Sequence, residues 1–142
     1  MSAISFDRQL SVEALEGDVW PDPPEGATGL VRSVHVLRRR PVGTLSPWDL
    51  ARLVGQDIGL PWTLPLALEM LRDAAPKQAE TGYYDDELLT AVLTRKPDTW
   101  SAFPELAQEV EGILGMLTGL SPYVQREVER FRSSLSDHRK RP

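Results

Sequence analysis

The chain has 142 residues, no cysteine, and a net charge of −5 from 16 basic and 21 acidic residues. The absence of cysteine excludes a disulfide framework and thiolate metal sites. The acidic balance argues against a general affinity for nucleic acid, which requires lysine and arginine clustered in excess on one face. An acidic surface suits a basic protein partner.

Helical spacing of apolar residues dominates the chain, and no run of alternating β-branched residues is long enough to predict a sheet. We predict an all-α, compact single-domain bundle of about five to seven helices over residues 10–135. Residues 1–9 are predicted to be a flexible N-terminus and residues 136–142 a basic flexible tail. The opening MSAISFDRQLS and the absence of a long apolar run lead us to expect no signal peptide and no membrane span.

Two helix starts are predicted in the first part of the chain. Ser11 caps a short turn that ends at Gly17, and the following DVWPDPPEGATG is a loop because it is rich in proline and glycine. Thr28 caps the next helix, whose inward face carries Leu30, Val34 and Leu37. Arg38, Arg39 and Arg40 fall in its last turn before Pro41. We interpret them as a solvated helix end rather than an RNA contact.

A corner between two helices is predicted within GQDIGLPWTLPLALEML, residues 55–71. The first helix starts with a cap and capping box at Ser46, Pro47 and Asp49. Its inward face carries Leu50, Leu53, Val54 and Ile58. Gly59 is expected to end it in a left-handed conformation, and Pro61 to prevent its continuation.

The second helix of this corner is predicted to be the centre of the fold. Thr63 is expected to cap it, with Pro65 in its first turn. Residues 64–71 leave almost no polar face, which is typical of a helix covered on most sides. The polar segment KQAETG is predicted to be the connection that follows.

Three more helices complete the predicted bundle. Asp85 caps the first, with Leu88, Leu89, Val92 and Leu93 buried, and Pro97 follows its end. Asp98 caps a short turn with Trp100 and Phe103 before a helix from Pro104 to about Leu117. The inward residues of that helix are Leu106, Val110, Ile113, Leu114 and Leu117. Ser121 and Pro122 start the last helix, whose inward residues are Val124, Val128, Phe131 and Leu135.

The residues that usually carry catalysis or bind metals are sparse. Of the two histidines, His138 lies in the predicted tail and His35 within a helix, where we expect it to be half-buried with a hydrogen-bond partner. Metal-ligand spacings and phosphate-binding glycine patterns are missing, so we expect no metal and no cofactor.

Asp85, Asp86 and Glu87 form the densest acidic cluster of the chain. The simplest interpretation is an acidic first helical turn, which the helix dipole favours over paired carboxylates for acid–base chemistry. A third interpretation joins them to Tyr83 and Tyr84 as an interface hot spot. Trp62, at the corner, either wedges two helices together or contacts a partner.

A family resemblance is carried by LVRSVHVLRRRPVGTLSPWDLARLVGQDIGLPWTLPLALEML, which is followed by GYYDDELLTAVL. These segments resemble the immunity proteins of bacterial contact-dependent growth inhibition systems. The matching residues are Leu37, Arg38 and Pro41 in a first block, Asp49, Leu50, Leu53, Gly55, Gln56, Ile58, Gly59 and Leu60 in a second, and Pro65, Leu66, Ala67 and Leu68 in a third. SVEALEGDVW is similar to the family's opening Leu-Glu-Gly and tryptophan.

The resemblance implies a small cytoplasmic protein, not an enzyme, that binds and neutralises a cognate toxin domain. It does not identify the toxin, which we expect to be of the nuclease type. From charge and hydropathy we expect no partner among nucleic acids or membranes, and the oligomeric state stays open. Where the family reads Tyr-x-Gly-Asp-Leu-Leu, this chain has YDDELL from residue 84. We therefore hypothesise a toxin-binding site that comprises Trp62, Tyr83, Tyr84, Asp85, Asp86 and Glu87.

An enzyme is the alternative that the residues themselves leave open. It would be a small hydrolase or a nucleotide-binding enzyme that uses His35 or the cluster of Asp85, Asp86 and Glu87. The neighbouring gene distinguishes the two hypotheses, because an upstream gene for a large secreted protein that ends in a compact toxin domain favours immunity.

Overall fold

The computed structural model describes residues 6–140, with side chains up to residue 135. This part of the chain contains eight α-helices and no β-sheet, which confirms the all-α prediction. The helices are α1 Val12–Glu16, α2 Gly29–Arg38, α3 Pro47–Gly55, α4 Leu60–Thr81, α5 Asp86–Leu93, α6 Pro97–Ala102, α7 Pro104–Leu114 and α8 Pro122–Lys140. A short 3₁₀ helix, Val42–Thr44, precedes α3. The number exceeds the expected five to seven because α1 and α6 are short helices of five and six residues.

Helix α4 lies at the centre, as predicted. Residues 63–68 are all buried, and α3, α5 and α7 pack around this helix. The inward residues predicted for α5 and α7 are buried as well. On α2, however, the prediction was wrong for Leu30, which is 42% exposed, while Val34 and Leu37 are buried.

The corner between α3 and α4 differs from the prediction. Helix α3 ends at Gly55, and Gly59 has the expected left-handed backbone, with φ of 60°. Helix α4 begins directly after it, so Pro61 lies in the first turn of the new helix, where its missing N–H costs little. Thr63 is not the cap. Its hydroxyl lies 3.0 and 3.1 Å from the carbonyl oxygens of Ile58 and Gly59.

The segment KQAETG is helical, so the predicted connection was wrong. Helix α4 continues through it to Thr81, and Gly82, with φ of 73°, ends the helix. Gln78 explains the difference because its side chain is buried and bonds the backbone of Thr118 as donor and acceptor. The polar composition of this segment therefore does not reveal the tertiary contact that Gln78 makes.

The other predicted helix ends are partly confirmed. Thr28, Ser46, Asp85 and Ser121 each accept a bond from a backbone N–H in the first turn of a helix. The predicted cap at Asp98 was wrong, because α6 starts at Pro97 after Lys96. The predicted boundaries at residues 10 and 135 stay predictions. The expected tail, residues 136–142, lies outside the residues whose side chains are described.

Candidate interaction surfaces

Arg38 is buried, so its interpretation as part of a solvated helix end was wrong. Its side chain is 1% exposed and donates hydrogen bonds to the carboxylate of Glu16 at 2.6 Å and to the carbonyl oxygen of Asp18 at 2.9 Å. Its guanidinium lies 3.8 Å from the centre of the Trp20 ring, which adds a cation–π contact. Arg38 thereby attaches the loop after α1 to α2.

Arg39 extends this attachment at the surface. It forms ion pairs with Glu13 at 3.6 Å and with Asp22 at 3.1 Å, and its guanidinium also donates to the carbonyl oxygen of Trp20. Three of the six acidic residues that precede α2, namely Glu13, Glu16 and Asp22, are therefore paired with the arginines at the end of this helix.

His35 packs against the same loop and is half-buried, as predicted. Its ring meets Trp20 edge-on, with 5.2 Å between the ring centres. The expected hydrogen-bond partner is missing for Nδ1, which is buried and unpaired among the described residues. This histidine shows the surroundings of a packed side chain, with the Trp20 ring beside it.

The two tyrosines before α5 have opposite surroundings. Tyr83 is 73% exposed, whereas Tyr84 is 7% exposed and donates a hydrogen bond of 2.6 Å to the carbonyl oxygen of Leu71. Burial raises the pKa of the Tyr84 hydroxyl, and the nearby carboxylate of Asp85 raises it further. Tyr84 therefore holds the segment before α5 against α4, and the hypothesis that both tyrosines contact a partner stays a prediction.

We predict a pH-dependent effect of Tyr84→Phe. At neutral pH the lost hydrogen bond should lower the free energy of unfolding by about 1 kcal/mol. Because the folded state keeps the phenol protonated, wild-type stability falls as pH rises above about 10, the pKa of an unfolded tyrosine. Phenylalanine lacks this loss, so urea unfolding at about pH 7 and about pH 11 should show the difference between the two proteins shrinking. A constant difference would contradict the role of the hydroxyl.

The acidic cluster splits into one structural and two free carboxylates. Asp85 caps α5, since its carboxylate accepts from the N–H of Leu88 at 3.0 Å. Asp86 and Glu87 are exposed, and their carboxylates take part in no hydrogen bond or ion pair within the described residues. Within this cluster, the carboxylates of Asp86 and Glu87 are therefore the ones free to bind a partner's charge.

Asp86 and Glu87 line a groove of about 540 Å³ that is formed by α3, α5 and the start of α8. We call it the α3–α5–α8 groove. Trp48 and Arg52 border it from α3, and Tyr123 borders it from α8. The guanidinium of Arg52 donates a 2.6 Å hydrogen bond to the hydroxyl of Ser33 and lies 5.7 Å from the centre of the Trp48 ring.

A second groove, of about 430 Å³, is bordered by the segment that precedes α5. Its lining is mainly apolar and includes Met70, Leu71 and Leu88, with Tyr83 and Lys77 also bordering it. The residues proposed from the sequence thus border two different grooves.

Trp62 lies at one end of α4, whereas the tyrosines and the start of α5, with Asp86 and Glu87, follow the other end. It is half-buried in the first turn, whereas the tyrosines follow the last turn. At a rise of about 1.5 Å per residue, about 28 Å of helix separates Trp62 from Thr81. The structure therefore does not bring Trp62 into contact with the rest of the proposed set.

Sequence reasoning missed Trp48 and Tyr123 as candidate contact residues. Both are exposed, at 57% and 54%, and each directly follows the proline that begins its helix. A large aromatic residue at this position was the available signal, because the start of a helix does not require an apolar side chain there. Their common groove could not be predicted, since they lie on helices far apart in the sequence.

Two other features are absent from the described part of the chain. No group of three or more His, Cys, Asp or Glu side chains there is arranged to hold a metal ion. None of the helices combines the length and hydropathy that crossing a membrane requires.

An all-helical scaffold with exposed aromatic rings and free charges around one groove has the features of a protein-binding module. The family model of CDI immunity proteins, where CDI is contact-dependent growth inhibition, matches residues 14–110. This match covers more than half of the chain, which therefore belongs to the family of CDI immunity proteins. No match was found among the curated proteins or among the solved structures.

Proposed function

We propose that this protein binds the toxin domain of its own contact-dependent growth inhibition system in the cytoplasm and neutralises it by direct contact, without catalysis. Family membership over residues 14–110 carries this proposal. The charges of the described residues support it. Most arginines there are paired with carboxylates of the chain itself, whereas the carboxylates of Asp86 and Glu87 are free. The groove that these two residues line therefore has a net negative charge, which suits a basic partner.

We further propose that the toxin is a nuclease. A nuclease presents a basic surface built for phosphate, and acidic groups on an antidote speed encounter with such a surface and occupy the electrostatic place of the substrate. The free acids of α5 and the net charge of −5 favour such a partner over an acidic one.

The enzyme alternative has weaker support. His35 packs against Trp20, and Asp85 is engaged as a helix cap, so neither has the free, polar surroundings of a catalytic group. The other two carboxylates are exposed, and the described residues that line their groove include no histidine or lysine.

The test is co-purification and growth protection. We expect the chain to co-purify with the C-terminal domain encoded by the gene immediately upstream, and to protect cells in which that domain is produced. His35→Gln should protect as well as the wild type, provided that its circular dichroism and melting temperature are unchanged. A folded His35→Gln protein without protection would support the enzyme hypothesis.

The proposal that the toxin is a nuclease needs a separate measurement. Purified toxin domain should degrade DNA or RNA, and an equimolar amount of this protein should stop the degradation. If the toxin domain binds this protein but leaves both nucleic acids intact, the nuclease component is wrong and the binding function stands. If the two proteins do not bind at all, the proposed function itself is wrong.

A further inference from the structure

The charges of the α3–α5–α8 groove are unpaired, whereas most arginines elsewhere are neutralised within the chain. Arginines of the described residues that lie within 4.0 Å of a carboxylate are Arg8, Arg38, Arg39, Arg40, Arg72, Arg95, Arg130 and Arg132. Arg52, Asp86 and Glu87 line the groove and form no such pair there. These three charges of the groove are therefore free to pair with opposite charges of another molecule.

The aromatic residues of the groove are exposed without a role in the core. Trp48 and Tyr123 are the second residues of α3 and α8, and each has more than half of its surface in contact with solvent. Exposed apolar surface is unfavourable, and two large rings at one concave site mark an interaction surface. Tryptophan, tyrosine and arginine are also the residue types enriched at binding hot spots.

We propose that the α3–α5–α8 groove is the toxin-binding face and that its occupant is a basic loop of the toxin domain. This inference rests on the proposed function. A lysine or arginine of the loop pairs with Asp86 and Glu87, and the loop packs against Trp48 and Tyr123. Carboxylates outnumber guanidinium groups in the groove by two to one, which favours a cationic occupant over an anionic one.

Arg52 adds a directional contact to this surface. Its guanidinium is held by Ser33 and by the Trp48 ring, so its orientation is set before the partner arrives. Its remaining N–H groups can donate to a carbonyl or carboxylate oxygen of the same loop. A preorganised donor loses little conformational freedom on binding.

The experiment is a titration of the purified toxin domain, the C-terminal domain encoded by the upstream gene, into wild-type and variant protein. Trp48→Ala should raise the Kd about 30-fold or more, the factor expected for a hot-spot side chain. The double variant Asp86→Asn, Glu87→Gln should raise it about tenfold or more and reduce the salt dependence of the association rate. Tyr123→Ala removes the aromatic ring that borders the groove from α8 and so tests the side of the groove that Trp48 does not form.

Matched controls exist on neighbouring helices. Asp98 and Glu105 are exposed, unpaired among the described residues, and occupy the second position of α6 and α7, as Glu87 does in α5. The double variant Asp98→Asn, Glu105→Gln therefore removes the same charge from the first turns of two helices, at residues that do not line the groove. Val36→Ala is the apolar control, because Val36 on α2 is 59% exposed and does not line the groove.

The groove is supported if its variants lose affinity, the controls keep the wild-type Kd, and all variants retain the wild-type melting temperature. Equal loss in groove and control variants would overturn the proposal in favour of diffuse electrostatic attraction. Wild-type affinity in both Trp48→Ala and Tyr123→Ala would also overturn it and leave the immunity function intact. A wild-type protein that fails to bind would instead refute the proposed function.

Discussion

Replacing Leu68 by alanine is expected to lower the free energy of unfolding by about 2–5 kcal/mol. Leu68 is fully buried in the middle of α4, with the other apolar residues of that helix packed around it. Truncation removes buried methyl groups and leaves a cavity that α3, α5 and α7 cannot fill without moving. Chemical denaturation followed by circular dichroism measures the loss.

Leu60→Ala is the matched control, because it removes the same atoms from the first turn of the same helix, where the side chain is only partly buried. We expect a clearly smaller loss there. Equal denaturation midpoints for Leu68→Ala and the wild type would show that α4 is peripheral.

Gly59→Ala is expected to cost about 2–5 kcal/mol, the sum of about 1–2 for a left-handed non-glycine residue and about 1–3 for overpacking. Gly59 has φ of 60°, and a Cβ atom there would lie 2.8 Å from Cγ1 and 3.2 Å from Cγ2 of Val12. The turn into α4 therefore needs glycine for two independent reasons. Thermal and urea unfolding measure the combined effect.

Gly82→Ala separates the two reasons. Gly82 also has a positive φ, of 73°, but a Cβ atom there would have nothing within 4 Å. We expect only the backbone component at this position, about 1–2 kcal/mol. In addition, Val12→Ala should cost less in the Gly59→Ala background than in the wild type, because it removes the atoms that clash. Additive losses would show that α1 does not press on the corner.

The helix caps show how much of the fold can be predicted from the sequence. Ser46 and Asp85 were predicted correctly because a cap depends on a side chain and a backbone N–H three positions away. The start of α4 was not, since Thr63 also has the composition of a cap and only the backbone conformation of Gly59 decides between them. Gln78 was missed because its partner, Thr118, is distant in the sequence.

Arg38 and Arg39 illustrate the same limit for charged residues. The family resemblance drew attention to Arg38, but neither its burial nor its partners Glu16 and Trp20 follow from helical spacing. The composition of three consecutive arginines at a helix end does not reveal whether one of them is buried or all three are solvated. The loop that covers Arg38 decides the outcome, and its path is a tertiary property.

The acidic character of the candidate site could be predicted from the sequence, but the set of residues that lie together could not. The acidic first turn of α5 was recognised from Asp86 and Glu87, and both are free among the described residues. The burial of Tyr84 was not foreseen, because the exposure of each residue cannot be read from two adjacent tyrosines. Trp48 and Tyr123 were omitted since a groove between three helices is formed only when those helices pack.

Helices α3, α4 and α5 follow one another in the chain and also pack against one another. Contacts between neighbours in sequence require only short loops to close, and helical proteins of this kind fold within microseconds to milliseconds. The N-terminal segment is attached by contacts between residues distant in sequence, such as the ion pair of Arg8 with Glu69. For an antidote, such a core shortens the interval between synthesis and readiness, during which newly made toxin has no folded partner.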